Sequence, residues 1–225
     1  MSDRGRFDFR REVALGLCSY GAYLVVRRLV WNERGRARAR YDAQRILGWE
    51  RSMGIDIESK VQSAALRVPG MVPALNLGYA AGNVALSVGW LLLLYRRRDA
   101  SFFRERRAAL AAFAGALPFF AAMPTAPPRT LDEFVDTMNG DRFGLDHPLL
   151  LRFYNPIAAM PSHHVAFAVV TGVGLARRAS SRSRRVGWAT YPGAVALVVV
   201  ATANHFVADV AGGAALGVLA RRATR

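Results

Sequence analysis

Between Met71 and Tyr95 the chain carries no charged residue, and then meets Arg96-Arg97-Arg98 at once. A helix needs about 20 apolar residues to cross the hydrocarbon core of a bilayer. This stretch therefore reads as a membrane span with a basic stop at its end. Comparable apolar blocks run over Val13–Trp31, Ala108–Met123 (short, and containing Pro118), Ile157–Ala176, Val186–Ala203 and His205–Ala220. The pattern predicts an all-α, polytopic membrane bundle of about six transmembrane helices, with both termini on one side.

Hydrophobic residues make up 52% of the chain, more than the roughly 45–50% of soluble domains. The 225 residues suit one membrane domain, 1–225. Within it, residues 1–71 hold the N-terminal span and an interfacial segment, and residues 72–220 hold a catalytic helical core. No small-residue cleavage site follows the first block. Arg27-Arg28 and Trp31 stand there instead, so it reads as an uncleaved span. Cys18 is the sole cysteine, which excludes an intrachain disulfide.

A net charge of +15 raises the question of nucleic acid. The arginines, however, gather at the ends of the apolar blocks rather than along a separate basic face, which points to membrane topology and away from nucleic-acid partners. The segments 96–107, 177–185 and 221–225 carry net charges of +4, +5 and +3, against −2 for 124–162. The positive-inside rule makes the first three cytoplasmic and the last external. The expected location is the cell membrane, multi-pass, with residues 124–162 on the periplasmic or extracytoplasmic side. The 32–68 segment, at +3, goes against the rule. Its Ile46, Leu47, Trp49, Met53 and Ile57 recur near helical spacing, as in an amphipathic helix lying on the membrane surface after the first span. Gly78 and Gly82 form a small-xxx-small pair suited to close helix approach.

Ionisable groups at membrane depth are costly and call for an explanation. Three of the four histidines fall in two short runs, Pro161-Ser162-His163-His164 and Asn204-His205, the second followed by Asp209. Ser162 and Asn204 are favoured N-caps, so each run is expected to head a helix whose free N–H groups and dipole suit an anion such as phosphate. The i, i+4 spacing puts His205 and Asp209 on one helical face. The carboxylate can then accept from one imidazole nitrogen and leave the other as a nucleophile or base. His164 can serve as a general acid, and Arg129, in Pro124-Thr-Ala-Pro-Pro-Arg129, supplies a guanidinium for phosphate. Two other readings stay open: a zinc site from His163, His164, His205 and Asp209, although neighbouring helical residues point about 100° apart, or a proton relay in a non-enzymatic, transporter-like membrane protein. Asp132, Glu133, Asp136, Asp141 and Asp146 read as a solvated face.

Pro-Ser-x-His followed about 40 residues later by His-x-x-x-Asp, each heading an apolar span, resembles the second and third motifs of the type 2 phosphatidic acid phosphatase superfamily. The Pro-Thr-Ala-Pro-Pro-Arg run resembles its inositolphosphotransferase-like branch, which includes the inositol phosphorylceramide synthases. The likeness covers roughly residues 72–220. It implies a lipid phosphatase or phosphotransferase in which His205 accepts the phosphoryl group, Asp209 orients it, and His164 protonates the leaving group and then activates the acceptor. It also implies a phospholipid or polyprenyl-phosphate substrate, an alcohol acceptor such as inositol where water is not used, and neither metal nor cofactor. The Ser-Arg pair that precedes the nucleophile in the main family is replaced by Val198-Val199, and His163 stands where a glycine is usual. Phosphate binding is accordingly expected from Arg129, Ser162, His163 and Arg152.

Overall fold

The computed structural model describes residues 7–139 and 147–224, and its regular structure is helical, with one isolated bridge between Thr125 and Ala158. The helices are α1 (Phe9–Val30), α2 (Glu33–Ser52), α3 (Glu58–Leu66), α4 (Met71–Leu77), α5 (Asn83–Arg96), α6 (Phe102–Ala122), α7 (His163–Arg178), α8 (Arg182–Ala201) and α9 (Val207–Ala223). A π-helical turn, Gly78–Gly82, joins α4 to α5 in one rod, Met71–Arg96. That rod and α1 are long and apolar enough to cross a membrane.

α7 is the central helix. It is wedged against α8 and α9 by residues with little or no side chain. A Cβ on Gly213 would stand 2.3 Å from the Ser162 carbonyl oxygen, and one on Gly217 would stand 2.8 Å from that of Ala166. The close-approach pair is therefore Gly213/Gly217 on α9. The expected pair, Gly78/Gly82, sits in the π-turn, where a Cβ on Gly78 would reach only Val198 at 4.0 Å and one on Gly82 would meet nothing. Ala108, Ala112, Ala166, Val170 and Ala220 fill the α6–α7–α9 seam.

The three basic segments come together at one end of the bundle. Arg221 forms a buried, two-pronged ion pair with Glu105 at 3.0 and 2.8 Å, and Arg178 pairs with Asp99. Asp99 is held below the usual carboxylate range, first by hydrogen bonds from Ser101 and then by Arg178. At the opposite end, the 32–68 segment forms α2 and α3. Ala39, Ala43 and Leu47 of α2 pack with Ala126, Ile157 and Phe206, while Trp49, Met53 and Ile57 face outward.

α7 starts after its expected N-cap, Ser162, short of the apolar block's beginning at Ile157, whereas the start of α9 differs from expectation. Residues 157–162 are not helical, because the segment is tied sideways: Thr125 donates to the Ile157 carbonyl at 2.9 Å, and Ala159 donates back to Thr125 at 3.1 Å. α9 starts at Val207, with Phe206 rather than Asn204 at the N-cap. Asp141 and Asp146 lie outside the described residues. Of the supposed solvated acids, Asp132 pairs with Arg40, Glu133 with Arg51, and Asp136 with Arg129.

Candidate active site

Helix α8 ends in a tight reversal that prepares the site. Asn204 N–H donates to Val199 and Ala203 N–H to Val200, both at 2.9 Å, with Ala203 left-handed at φ 49°. This is the double hydrogen-bond pattern that satisfies the last carbonyls of a helix, with alanine where glycine is usual. The turn presents the Ala203 carbonyl to the Arg129 N–H at 2.8 Å and the Asn204 side chain to the Arg129 guanidinium, Nε to Oδ1, at 2.9 Å. Asp136 accepts from Arg129 Nη1 at 2.9 Å. Arg129 is thus buried, aimed by two side chains, and part of the wall of a cavity of about 160 Å³ shared with His163, His164 and His205.

The two central histidines are held in complementary tautomers. His205 Nδ1 lies 3.4 Å from Asp209 Oδ2. A carboxylate oxygen accepts, so Nδ1 carries the proton and Nε2 is left with a free lone pair. His164 Nε2 lies 3.2 Å from the Tyr79 carbonyl oxygen, which likewise only accepts, so Nδ1 is the free nitrogen. The rings stand 6.0 Å apart. Tyr79 lies in the π-turn, an irregularity often found at functional sites, and stacks on His164 at 4.3 Å.

His205 precedes α9 rather than lying on its face. It meets Asp209 because that residue folds back over the helix start, accepting the Phe206 N–H at 3.0 Å. The next two amides are also taken: Val207 N–H donates to Glu58 and Ala208 N–H to Glu50, both at 2.7 Å. At α9, carboxylates therefore take the amides at which the sequence suggested an anion, and the buried cation in the cavity wall is Arg129.

The remaining candidates divide. Ser162 caps α7 through Val165 N–H and is fully buried, donating its own N–H to the Asp209 carbonyl at 3.0 Å. It is not part of the cavity wall. His163 reaches the wall, yet its Nε2 is directed to the Phe113 carbonyl at 3.3 Å and its ring stacks on Phe113. Arg152 is exposed and away from the cavity. Among the described residues, no three His, Cys, Asp or Glu side chains converge as a metal's ligands would. Sequence reasoning missed Tyr79, Glu50 and Glu58, and gave Asn204 and Asp136, which hold Arg129, the roles of a helix cap and a solvated acid.

Residues 44–223 match the sequence model of the PAP2 superfamily. The chain belongs to that superfamily. No curated protein and no solved structure matches it. Membership makes this PAP2 protein a phosphatase-type enzyme, and the matched stretch includes Arg129, His164, His205 and Asp209 as well as Glu50 and Glu58.

Proposed function

We propose that this PAP2 protein is an integral-membrane lipid phosphatase or phosphotransferase, of the inositolphosphotransferase-like kind, working through a phosphohistidine on His205. One observation carries the reading: His205 Nε2 and His164 Nδ1 are both left free by their partners, in one cavity with a buried arginine. The substrate is met by the imidazolium form of His164, which keeps Nε2–H on the Tyr79 carbonyl and carries its second proton on Nδ1. His205 Nε2 attacks phosphorus, the P–O bond to the lipid alcohol breaks, and the departing oxygen takes that Nδ1 proton, leaving His164 neutral. Water or an alcohol such as inositol then gives its proton to His164 and attacks. The P–N bond breaks and its electron pair returns to His205. Arg129 balances the phosphoryl oxygens throughout.

A lipid substrate is supported by a second cavity, of about 490 Å³ and lined mostly by apolar residues, which shares Tyr23 and His163 with the first. A third, of about 480 Å³, continues it past Tyr20 and Leu91 along α1 and α5. An acyl or prenyl chain fits this path while its phosphate meets His205. Outward apolar side chains on α1, such as Leu17, Val25 and Leu29, support a multi-pass fold with lipid around it. The gathering of the basic segments at the far end supports an external active site.

The test is to incubate the purified protein with phosphatidic acid, polyprenyl phosphates and inositol phospholipids, with and without free inositol. Free phosphate or a new inositol lipid is expected, together with an acid-labile label on His205. Turnover with a label that maps elsewhere would overturn the phosphohistidine.

A further inference from the structure

The first turn of α9, immediately after His205, is held by two carboxylates from the 32–68 segment. Glu50 and Glu58 are both buried to within 1%. Each uses Oε1 to accept one α9 amide. Their remaining oxygens, with Asp209 Oδ1, have no hydrogen-bond partner among the described residues, and no arginine or lysine pairs with either glutamate there. The two carboxyls accept from consecutive amides of one helix turn, which brings them side by side. Two adjacent buried carboxylates cannot both stay ionised without a cation, whereas a single proton between them satisfies both free oxygens.

We propose that Glu50 and Glu58 form a proton-sharing acid–carboxylate pair that anchors the start of α9 and positions the His205–Asp209 couple. The inference rests on the reading of His205 as nucleophile. The pair fixes the amides of Val207 and Ala208, and with them the backbone from which His205 is suspended. The charged and titratable groups facing Glu50 are Glu58 from α3 and Asp209 from α9, with His205 beyond Asp209. In α2, outside the spans, burial is the first cause that pushes Glu50 up, to about 8, and Glu58 adds to it. A carboxyl with a raised value in the folded state takes up a proton on folding, so its contribution is complete below its ordinary range and declines as pH rises toward 8. Above that pH the pair loses its proton, two like charges face Asp209, and the anchor loosens.

Glu50→Gln imitates the protonated acid: its oxygen can still accept from Ala208, and its amide can donate to Glu58. Glu50→Ala removes both. Glu50 does not line the cavity, so in Glu50→Ala kcat should fall on the order of tenfold with KM little changed, and Glu50→Gln should restore it. The alkaline limb of the kcat profile in Glu50→Gln should move up by about one pH unit or more, because the titrating proton is gone. Infrared spectra at pH 7 should show a protonated-carboxyl C=O band in the wild type that both variants lack. A band that persists in Glu50→Gln, or a kcat profile that coincides with wild type, would overturn the pair. So would a folded but inactive Glu50→Gln. Wild-type protein with no His205 label would instead sink the phosphohistidine reading, and the infrared band would still decide the shared proton by itself.

Discussion

Gly213 and Ser162 meet so closely that a Cβ on the glycine would fall 2.3 Å from the serine's carbonyl oxygen. The contact sets the separation of α7, which starts at His163, from α9, whose first turn follows His205. Gly213→Ala must push these helices apart, because backbone rather than a flexible side chain is in the way. Overpacking of this kind costs about 1–3 kcal/mol, and turnover should fall more than stability does. Thermal melting and kcat measured on the same preparation check this. An unchanged kcat would show that the helix spacing does not govern the histidine pair.

Asp209→Asn keeps the shape but loses the charge that, in the proposed mechanism, stabilises a developing imidazolium on His205. A drop in kcat of at least about 10² is expected, equivalent to about 2.7 kcal/mol of transition-state stabilisation. Because Asp209 also accepts the Phe206 N–H, and Asn can still do so, the variant should fold. Near-normal turnover in the folded variant would make Asp209 a cap only.

His164→Ala separates the two chemical steps. General acid catalysis contributes roughly 10² to 10⁴ when the leaving group needs a proton, so an alkyl phosphate should react very slowly. With p-nitrophenyl phosphate the leaving group departs unaided, and a phosphoenzyme should accumulate on His205 because the second step lacks its base. Rapid-quench labelling with both substrates tests this. Wild-type rates on both would remove His164 from the mechanism.

Orientation can be read in intact cells from single cysteines in a Cys18→Ser background. A cysteine at Ser183, in the basic first turn of α8, should resist an impermeant thiol reagent. One at Asp132, exposed near the site end, should be labelled. The opposite pattern would place the site on the cytoplasmic face.

The sequence alone determined what is local. Apolar blocks bounded by arginines give helices, because a long run of apolar residues has its backbone groups satisfied within the helix wherever it lies. The motifs around His164, His205 and Arg129 were legible because each is a short run, and the structure brings these three residues into one cavity. Only tertiary structure decided how the runs meet. Asn204 is a favoured N-cap residue, but the α8 reversal through Ala203 turns its side chain to Arg129, and the cap moves to Phe206. The α9 amides look free for an anion until α2 and α3 bring Glu50 and Glu58 to them from about 150 residues earlier in the chain. Hydrogen-bond partners so distant leave no periodic trace, since periodicity reports which face of a helix is buried and not what it is buried against.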